Sequence, residues 1–114
     1  MTAIDRLLEI EEKFGESVHR IVPIELDEST LRVIIYLKDG SNLRVVEQWE
    51  ARNLVRYSYY WLTFDNMLKI GWDNAPHHRH MENFPHHKHV ARQKNLQASA
   101  EKCLEDIMEV ILQK

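Results

Sequence analysis

Residues 31–46, LRVIIYLKDGSNLRVV, predict a β-hairpin and thereby indicate the fold class of the chain. Apolar residues occupy alternate positions on both sides of Asp39-Gly40, a dipeptide that is typical of tight hairpin turns. The period of two continues in a long strand, 54–64, and in a return strand, 67–72, which follows a turn at Asp65-Asn66. These segments predict an antiparallel sheet in which consecutive strands are neighbours.

A first strand precedes the hairpin, in the segment 18–24. It contains Pro23, which has no amide hydrogen to donate, so we expect this strand at an edge of the sheet or with a bulge. The sequence thus predicts an antiparallel five-strand meander within residues 17–72. An aromatic row shares one face of the fourth strand, where burial is the favoured interpretation and stacking of RNA bases the alternative: Tyr57, Tyr59 and Trp61.

The N-terminal flank of the sheet is predicted to be a helix, residues 2–15. Thr2 is suited to cap this helix and Gly15 to end it. Its apolar stripe consists of Ile4, Leu7, Leu8 and Phe14, which we therefore expect to face the sheet.

The C-terminal flank is predicted to be a second helix, residues 99–113, with Ser99 as its N-cap. Cys103 is expected to be a buried small side chain among its apolar positions. These recur at the spacing of an amphipathic helix: Leu104, Ile107, Met108, Ile111 and Leu112. The chain is therefore predicted to be a single α+β domain, 1–114, with a sheet flanked by N-terminal and C-terminal helices.

The charge, the apolar content and the single cysteine exclude several classes of protein. The chain has 114 residues and a net charge of −3, which argues against a general nucleic-acid binder. It has no apolar run close to the roughly 20 residues that a membrane-spanning helix needs. The first residues become charged at once and do not resemble a signal peptide, so we expect a cytoplasmic protein without a membrane partner. The single cysteine excludes an intrachain disulfide and a cysteine-based zinc site.

Six of the seven histidines lie between positions 77 and 89. They form two copies of a Pro-His-His-basic-His pattern within the segment 73–98, which lacks a regular period and is predicted to be a long functional loop after strand five. Proline favours extended backbone at the residue before it. If the second copy is extended, His86 and Lys88 point to one side, and His87 and His89 point to the other.

Metal-free cleavage of a phosphodiester is one chemistry that fits these residues. Two imidazoles would act as base and acid, because histidine titrates near neutral pH. We favour His78 paired with His86 or His87 for these roles. Lys88 and Arg79 would stabilise charge on the phosphoryl oxygens, and Asp73 would orient an imidazole.

Two other interpretations of the histidines stay open on the residues alone. The first is a divalent transition metal, since imidazole suits several such ions. The candidate ligands are His78, His86, His87 and His89. The second is structural, with the histidines hydrogen-bonded to one another and to the backbone. A third functional class is a non-catalytic module in which the histidine segment and the terminal helix bind a partner.

Residues 72–78, WDNAPHH, followed by residues 84–89, FPHHKH, look like the signature of the TumE family, small toxins of toxin–antitoxin pairs. The resemblance covers most of the chain and includes the tyrosine-rich strand and the terminal helix. Arg79 and His80 depart from the family pattern. The matching positions are Asp73, Asn74, Pro76, His77, His78, Phe84, Pro85, His86, His87, Lys88 and His89.

The resemblance implies the toxin of a type II pair, with a cognate antitoxin as its partner. Action on RNA as a metal-independent endoribonuclease is inferred from the toxin class together with the residues. No cofactor is expected, a divalent transition metal is the alternative, and a homodimer is left open. The predicted catalytic residues are Asp73, His77, His78, His86, His87, Lys88 and His89. The predicted substrate-binding residues are Asn74, Arg79, Lys88 and Arg92.

Overall fold

A computed structural model describes residues 1–75, 86–91 and 96–113, with only the backbone described for His87 and for residues 96–98. Its two helices are α1 (Ala3–Phe14) and α2 (Leu104–Leu112). Its strands are β1 (Arg20–Leu26), β2 (Thr30–Tyr36), β3 (Asn42–Glu50), β4 (Asn53–Leu62), β5 (Leu68–Asp73), β6 (His87–Val90) and β7 (Leu96–Ala98).

The strands form one sheet in the order β1-β2-β3-β4-β5-β6-β7, and every neighbouring pair is antiparallel. The α+β class, the meander and the flanking helices are therefore confirmed. The sheet has seven strands rather than five, because parts of the predicted loop 73–98 pair as β6 and β7. Histidine-rich sequence carries little strand signal of its own. Strand β6 forms on hydrogen bonds to β5, and β7 forms on hydrogen bonds to β6.

The predicted hairpin 31–46 is present as β2 and β3. Its turn holds Gly40 at a φ of 92°, which is a conformation that favours glycine. The amide of Leu37 donates to the carbonyl of Ser41 at 2.9 Å and closes the turn. At the other end of the sheet order, β1 is an edge strand with a register shift between Pro23 and Glu25. Both features that proline predicted, the edge position and the bulge, are confirmed.

One face of the sheet, called here the inner face, is buried beneath both helices. Tyr57, Tyr59 and Trp61 belong to this core and are at most 3% exposed, which confirms the burial interpretation of the aromatic row. The other inner-face members of the core are Leu31, Val33, Ile35, Leu43, Val45 and Trp72, and the helices add Ala3, Ile10, Leu104, Ile107, Met108 and Ile111. The opposite face is called the outer face.

Helix α1 begins with the predicted cap, since Thr2 and Asp5 form a reciprocal capping box. The predicted buried stripe is confirmed for Leu7 and Phe14, which pack against the core, and wrong for Ile4 and Leu8, which are each 58% exposed. Arg6 is buried in their place. A guanidinium can face a core only when carboxylates meet it there, and sequence periodicity does not show those carboxylates.

Helix α2 has the predicted apolar face, although it starts at Leu104 rather than at residue 99. Cys103 occupies the N-cap position and is only partly buried, so the expectations for Ser99 as the cap and Cys103 as a core residue are wrong. Ser99 is instead buried before the helix, where its hydroxyl donates to the carbonyl of Glu101 at 3.0 Å. In the part of the chain that the structure describes, no helix is long and apolar enough to cross a membrane.

A buried charge network joins both helices to the sheet. Arg6 of α1 donates from Nε to Glu47 Oε1 at 2.7 Å and from Nη2 to Glu47 Oε2 at 3.1 Å, a two-pronged pair with a fully buried carboxylate on β3. Arg6 also donates to both oxygens of Glu105 on α2, at 2.8 and 3.0 Å. Tyr59 and Trp49 donate to Glu47 at 2.6 and 3.0 Å, so its charge is well compensated.

Replacing Arg6 with methionine should destabilise the fold by about 3–5 kcal/mol, because Glu47 would keep a buried charge without its cation. Urea denaturation followed by far-ultraviolet circular dichroism measures this loss. The matched control is Arg32→Met, which breaks the exposed pair of Arg32 with Glu25 on the outer face. That control should cost less than about 1 kcal/mol. Equal losses in the two variants would contradict a special role for the buried network.

Glu105 should make stability fall in acid. Burial acts to raise its pKa, but hydrogen bonds from Arg6 and Lys13 lower that pKa from 4.5 to about 2. A lowered pKa stabilises the folded state above pH 4.5, and this stabilisation is lost as the pH falls from about 4.5 to 2. The difference in unfolding free energy between wild type and Glu105→Gln should therefore shrink over that range. The exposed neighbour Glu109→Gln is the control, and a constant difference for Glu105→Gln would contradict the assignment.

Candidate functional site

The pairing of β5 with β6 brings together the two halves of the histidine motif. Asp73 is the Cα partner of His87, Trp72 of Lys88, and Gly71 of His89. Sixteen positions separate Asp73 from His89 in the chain, yet their side chains meet across this pair of strands. The register therefore links the acidic residue that opens the motif with the histidine that ends it.

Alternation along β6 divides the motif between the two faces of the sheet. Lys88 pairs with the buried Trp72 and lies on the inner face, as does His86 beside Tyr57. His89 pairs with Gly71 and lies on the outer face, where it lines a groove. The predicted opposition of His86 and Lys88 to His89 is thus present. The sheet separates residues that the sequence placed in one predicted catalytic set.

Asp73 and His89 form a buried pair at the base of the outer face. Nε2 of His89 lies 3.3 Å from Oδ2 of Asp73, and the residues are 8% and 9% exposed. Oδ1 of Asp73 also accepts a hydrogen bond from the amide of Ala75 at 3.0 Å, which fixes the carboxylate. When neutral His89 donates from Nε2 to Asp73, the lone pair resides on Nδ1. The carboxylate can therefore orient the ring and select its tautomer, the role predicted for Asp73.

A groove of about 330 Å³ opens above this pair on the outer face. Its described lining includes the guanidinium of Arg56, the hydroxyl of Ser58 and the phenol ring of Tyr60. Its lining residues are Val46, Arg56, Tyr57, Ser58, Tyr60, Asp73, Ala75 and His89. An imidazole with an oriented proton, a guanidinium and an open groove together suit an anionic substrate that undergoes proton transfer.

Tyr60 lines the groove and Gly71 makes room for its ring, and neither was predicted as a site residue from the sequence. They are Cα partners in the pairing of β4 with β5, and Gly71 is also the partner of His89. A Cβ at Gly71 would lie 2.4 Å from Cδ1 and 2.5 Å from Cε1 of Tyr60, far inside van der Waals contact. The Tyr60 ring therefore occupies the space that a side chain at position 71 would need. Only the cross-strand register shows this contact.

Gly71→Ala should force Tyr60 out of its position and destabilise the protein by about 1–3 kcal/mol. Alanine otherwise suits a strand better than glycine by about 0.5–1 kcal/mol, so the sign of the change tests the contact. Urea denaturation of a double-mutant cycle with Tyr60→Ala measures the coupling. In the Tyr60→Ala background, Gly71→Ala should become neutral or stabilising. A stabilising effect of Gly71→Ala alone would contradict the close approach.

A second polar cluster lies on the inner face near the start of α2. The Tyr57 hydroxyl lies 2.9 Å from His86 Nδ1, and the two rings stack with centroids 5.8 Å apart. Glu101 Oε1 accepts from Trp72 Nε1 at 2.9 Å and lies 3.7 Å from Lys88 Nζ. Burial, and then the charge of Asp73, raise the pKa of the Tyr57 phenol, so this hydroxyl stays protonated at neutral pH. The cluster anchors His86 and Lys88 to the core.

Asn74 connects the end of β5 to β4. Its Oδ1 accepts from the Tyr57 amide at 2.8 Å, and its Nδ2 donates to the Val55 carbonyl at 3.2 Å. The side chain is 8% exposed and bonded to backbone on both sides. The structure therefore places this predicted substrate-binding residue where it holds the neighbouring Asp73 in position.

Several predicted site residues lie outside the described part of the chain: His77, His78, Arg79 and Arg92, together with the side chain of His87. Among the residues that are described, no group of three or more potential metal ligands is close enough to hold an ion. Of the four predicted ligands, His86 and His89 lie on opposite faces of the sheet. The metal interpretation remains a prediction, because it also depends on His78 and His87.

The fold and the groove describe a small α+β protein with a carboxylate–imidazole site on its open sheet face. The family model described as Toxin TumE matches residues 4–114, and the chain belongs to this family. It is therefore a toxin of a toxin–antitoxin system, with an antitoxin as its general partner. Searches of curated proteins and of solved structures gave no significant match.

Proposed function

We propose that this toxin is a metal-independent endoribonuclease that cleaves cellular RNA in the cytoplasm and is neutralised by a protein antitoxin of a type II pair. The observation that carries the proposal is the buried Asp73–His89 pair beneath an open groove that also contains Arg56. A carboxylate-oriented imidazole is a general base or acid suited to neutral pH, and RNA carries both the nucleophile and the anion that the groove requires.

The reaction consists of a phosphoryl transfer within the RNA strand. His89 removes the proton from a ribose 2′-hydroxyl, whose oxygen then attacks the adjacent phosphorus. The bond between phosphorus and the 5′-oxygen breaks, and a second imidazole protonates that leaving oxygen. The products are a 2′,3′-cyclic phosphate and a 5′-hydroxyl, so no water or metal is needed for this step. Asp73 stabilises the imidazolium that forms on His89.

The imidazole that protonates the leaving oxygen is assigned from its place in the sequence motif and not from side-chain contacts. His87 is the Cα partner of Asp73 in the β5–β6 register, which keeps its backbone beside the pair. His78 is the other candidate and belongs to the first copy of the motif. We propose one of these two as the acid, and His86, which bonds to Tyr57 on the inner face, as a positioning residue.

The phosphate-binding cation in this proposal is Arg56. Its guanidinium can form two parallel hydrogen bonds to phosphate oxygens, which stabilises the charge that develops during transfer. Arg56 lines the groove above Asp73 and His89, whereas Lys88, the predicted phosphate ligand, lies on the inner face beside Glu101. We therefore assign the phosphate to Arg56 and a structural contact to Lys88.

His89→Ala and Asp73→Asn should each lower RNA cleavage by about 10²–10⁴-fold, because general acid–base catalysis by the oriented imidazole is removed. The full-length chain, made in a cell-free system, is incubated with RNA in excess chelator, and the fragment ends are analysed. Cleavage should persist in chelator and leave 5′-hydroxyl ends. The rate should follow a bell-shaped pH profile between about pH 5 and 8 if two imidazoles take part.

The matched control is His19→Ala, which removes an exposed histidine near the start of β1. This variant should cleave RNA at the wild-type rate, and circular dichroism should show that all three variants are folded. Wild-type protein that arrests growth but cleaves no RNA would overturn the nuclease assignment in favour of a binding toxin. Cleavage that chelator abolishes and a transition metal restores would favour the metal alternative.

A further inference from the structure

Four arginines point outward from the sheet at a spacing of twelve residues: Arg20, Arg32, Arg44 and Arg56. The strand register arranges two of them in cross-strand rows that end at the proposed catalytic pair. One row runs from Arg44 through Tyr60 and Gly71 to His89. Neighbouring strands are about 4.8 Å apart, so three steps across the sheet cover roughly 14 Å.

The second row begins at Arg32 on β2. It continues through Val46 of β3 and Ser58 of β4 and ends at Asp73 of β5. Arg32 and Arg44 are both exposed. The two rows are adjacent, and each leads from an exposed guanidinium to one member of the Asp73–His89 pair.

The middle of the outer face of β2–β4 carries arginines and no carboxylate, and the carboxylates beside it are Glu25 on β1 and Asp73 on β5. Within residues 30–36, 42–48 and 56–62, the only carboxylate belongs to Glu47, which is fully buried in the core on the other face. Arg32 pairs with Glu25 at 2.9 Å, and both side chains of this pair are about half exposed. An exposed ion pair contributes little, typically below about 1 kcal/mol, so a phosphate can compete for Arg32.

The outer face also has a continuous shape. A second groove, of about 170 Å³, is lined by Ile24, Arg32, Val33, Ile34, Arg44, Val45 and Val46. The groove of about 330 Å³ above Asp73 and His89 shares Val46 with this second groove, so the two grooves adjoin. Tyr60 lies in the catalytic groove and presents an aromatic ring between the arginines and His89. Positive charge, an aromatic ring and a connected depression are the elements of a single-strand binding surface.

We propose that the outer face of β2–β4 binds single-stranded RNA, with Arg32 and Arg44 on the phosphates upstream or downstream of the scissile bond and Tyr60 stacked against a base. This proposal rests on the proposed nuclease function, and the outer face would bind the RNA substrate beside Asp73 and His89. Arginine forms bidentate bonds with phosphate, and aromatic rings stack unpaired bases without regard to sequence. The convergence of both rows on Asp73 and His89 favours RNA over an acidic protein partner as the occupant.

Binding is tested with the full chain carrying His89→Ala, so that labelled single-stranded RNA of about ten nucleotides stays intact, within the usual site size of such surfaces. Fluorescence anisotropy measures affinity across a range of salt concentrations. Adding Arg32→Gln or Arg44→Gln should weaken binding about 3- to 10-fold and reduce the slope of log affinity against log salt by about 0.7 for each arginine. The control is Arg52→Gln, the same change at an exposed arginine beside α1. It should leave affinity and slope unchanged.

Catalysis provides a second, independent measurement. In the otherwise wild-type chain, Arg44→Gln should raise KM for the longer RNA by the same factor with kcat unchanged. Cleavage of a dinucleotide, which is too short to reach Arg44 from His89, should be unaffected. Loss of dinucleotide cleavage as well would overturn the proposal, because Arg44 would then act at the reacting groups or on the fold.

The failures of the two proposals are distinguishable. If wild type neither binds nor cleaves RNA, the nuclease function fails and this surface fails with it. If wild type cleaves RNA but the Arg32 and Arg44 variants match the Arg52 control, only the surface assignment fails. If those variants lose affinity for the purified antitoxin while their RNA binding is unchanged, the outer face is an antitoxin interface, and the proposal is overturned.

Discussion

The buried pair of Arg6 with Glu47 is the constraint on which the architecture depends. A charge this deep must be matched, so α1 can pack only where its guanidinium reaches the carboxylate of β3. Glu105 extends the same network to α2, and both helices are thereby directed to one face of the sheet. The opposite face keeps its arginines exposed and its groove open. Electrostatics inside the core thus decides which face of the sheet the helices cover and which face stays exposed.

The sequence predicts the parts of the fold that carry their own period or turn. The hairpin around Asp39-Gly40, the edge strand with Pro23 and the apolar stripe of α2 all follow from local rules and are present. Strands β6 and β7 could not be predicted, because their residues have no strand period of their own and pair only once β5 offers a free edge to β6, and β6 to β7. The burial of Arg6 instead of Ile4 and Leu8 depends on a carboxylate 41 positions away, which no window on the sequence contains.

The candidate site, like the fold, could be predicted only where neighbouring residues in the sequence define it. The motif led to the prediction that Asp73 orients an imidazole, and the structure places His89 Nε2 3.3 Å from its carboxylate. Simple alternation placed His89 opposite Lys88. The sequence did not identify Arg56 or Tyr60 as parts of the groove, because they lie on β4 and reach it only through the sheet register. The twelve-residue spacing of the arginines was visible, but its meaning depends on which strands become neighbours.

Asn74 and the β5–β6 register have a consequence for how sequences of this kind can vary. Asn74 fixes the chain to β4 as it leaves β5, and the pairing of Asp73 with His87 fixes it again on its return. The two ends of the intervening connection are therefore side by side whatever its length. The entropy of closing such a connection grows only slowly, by about 0.6 kcal/mol for each doubling. Insertions and deletions between the two halves of the motif should therefore cost little stability and leave the carboxylate and its imidazole in place.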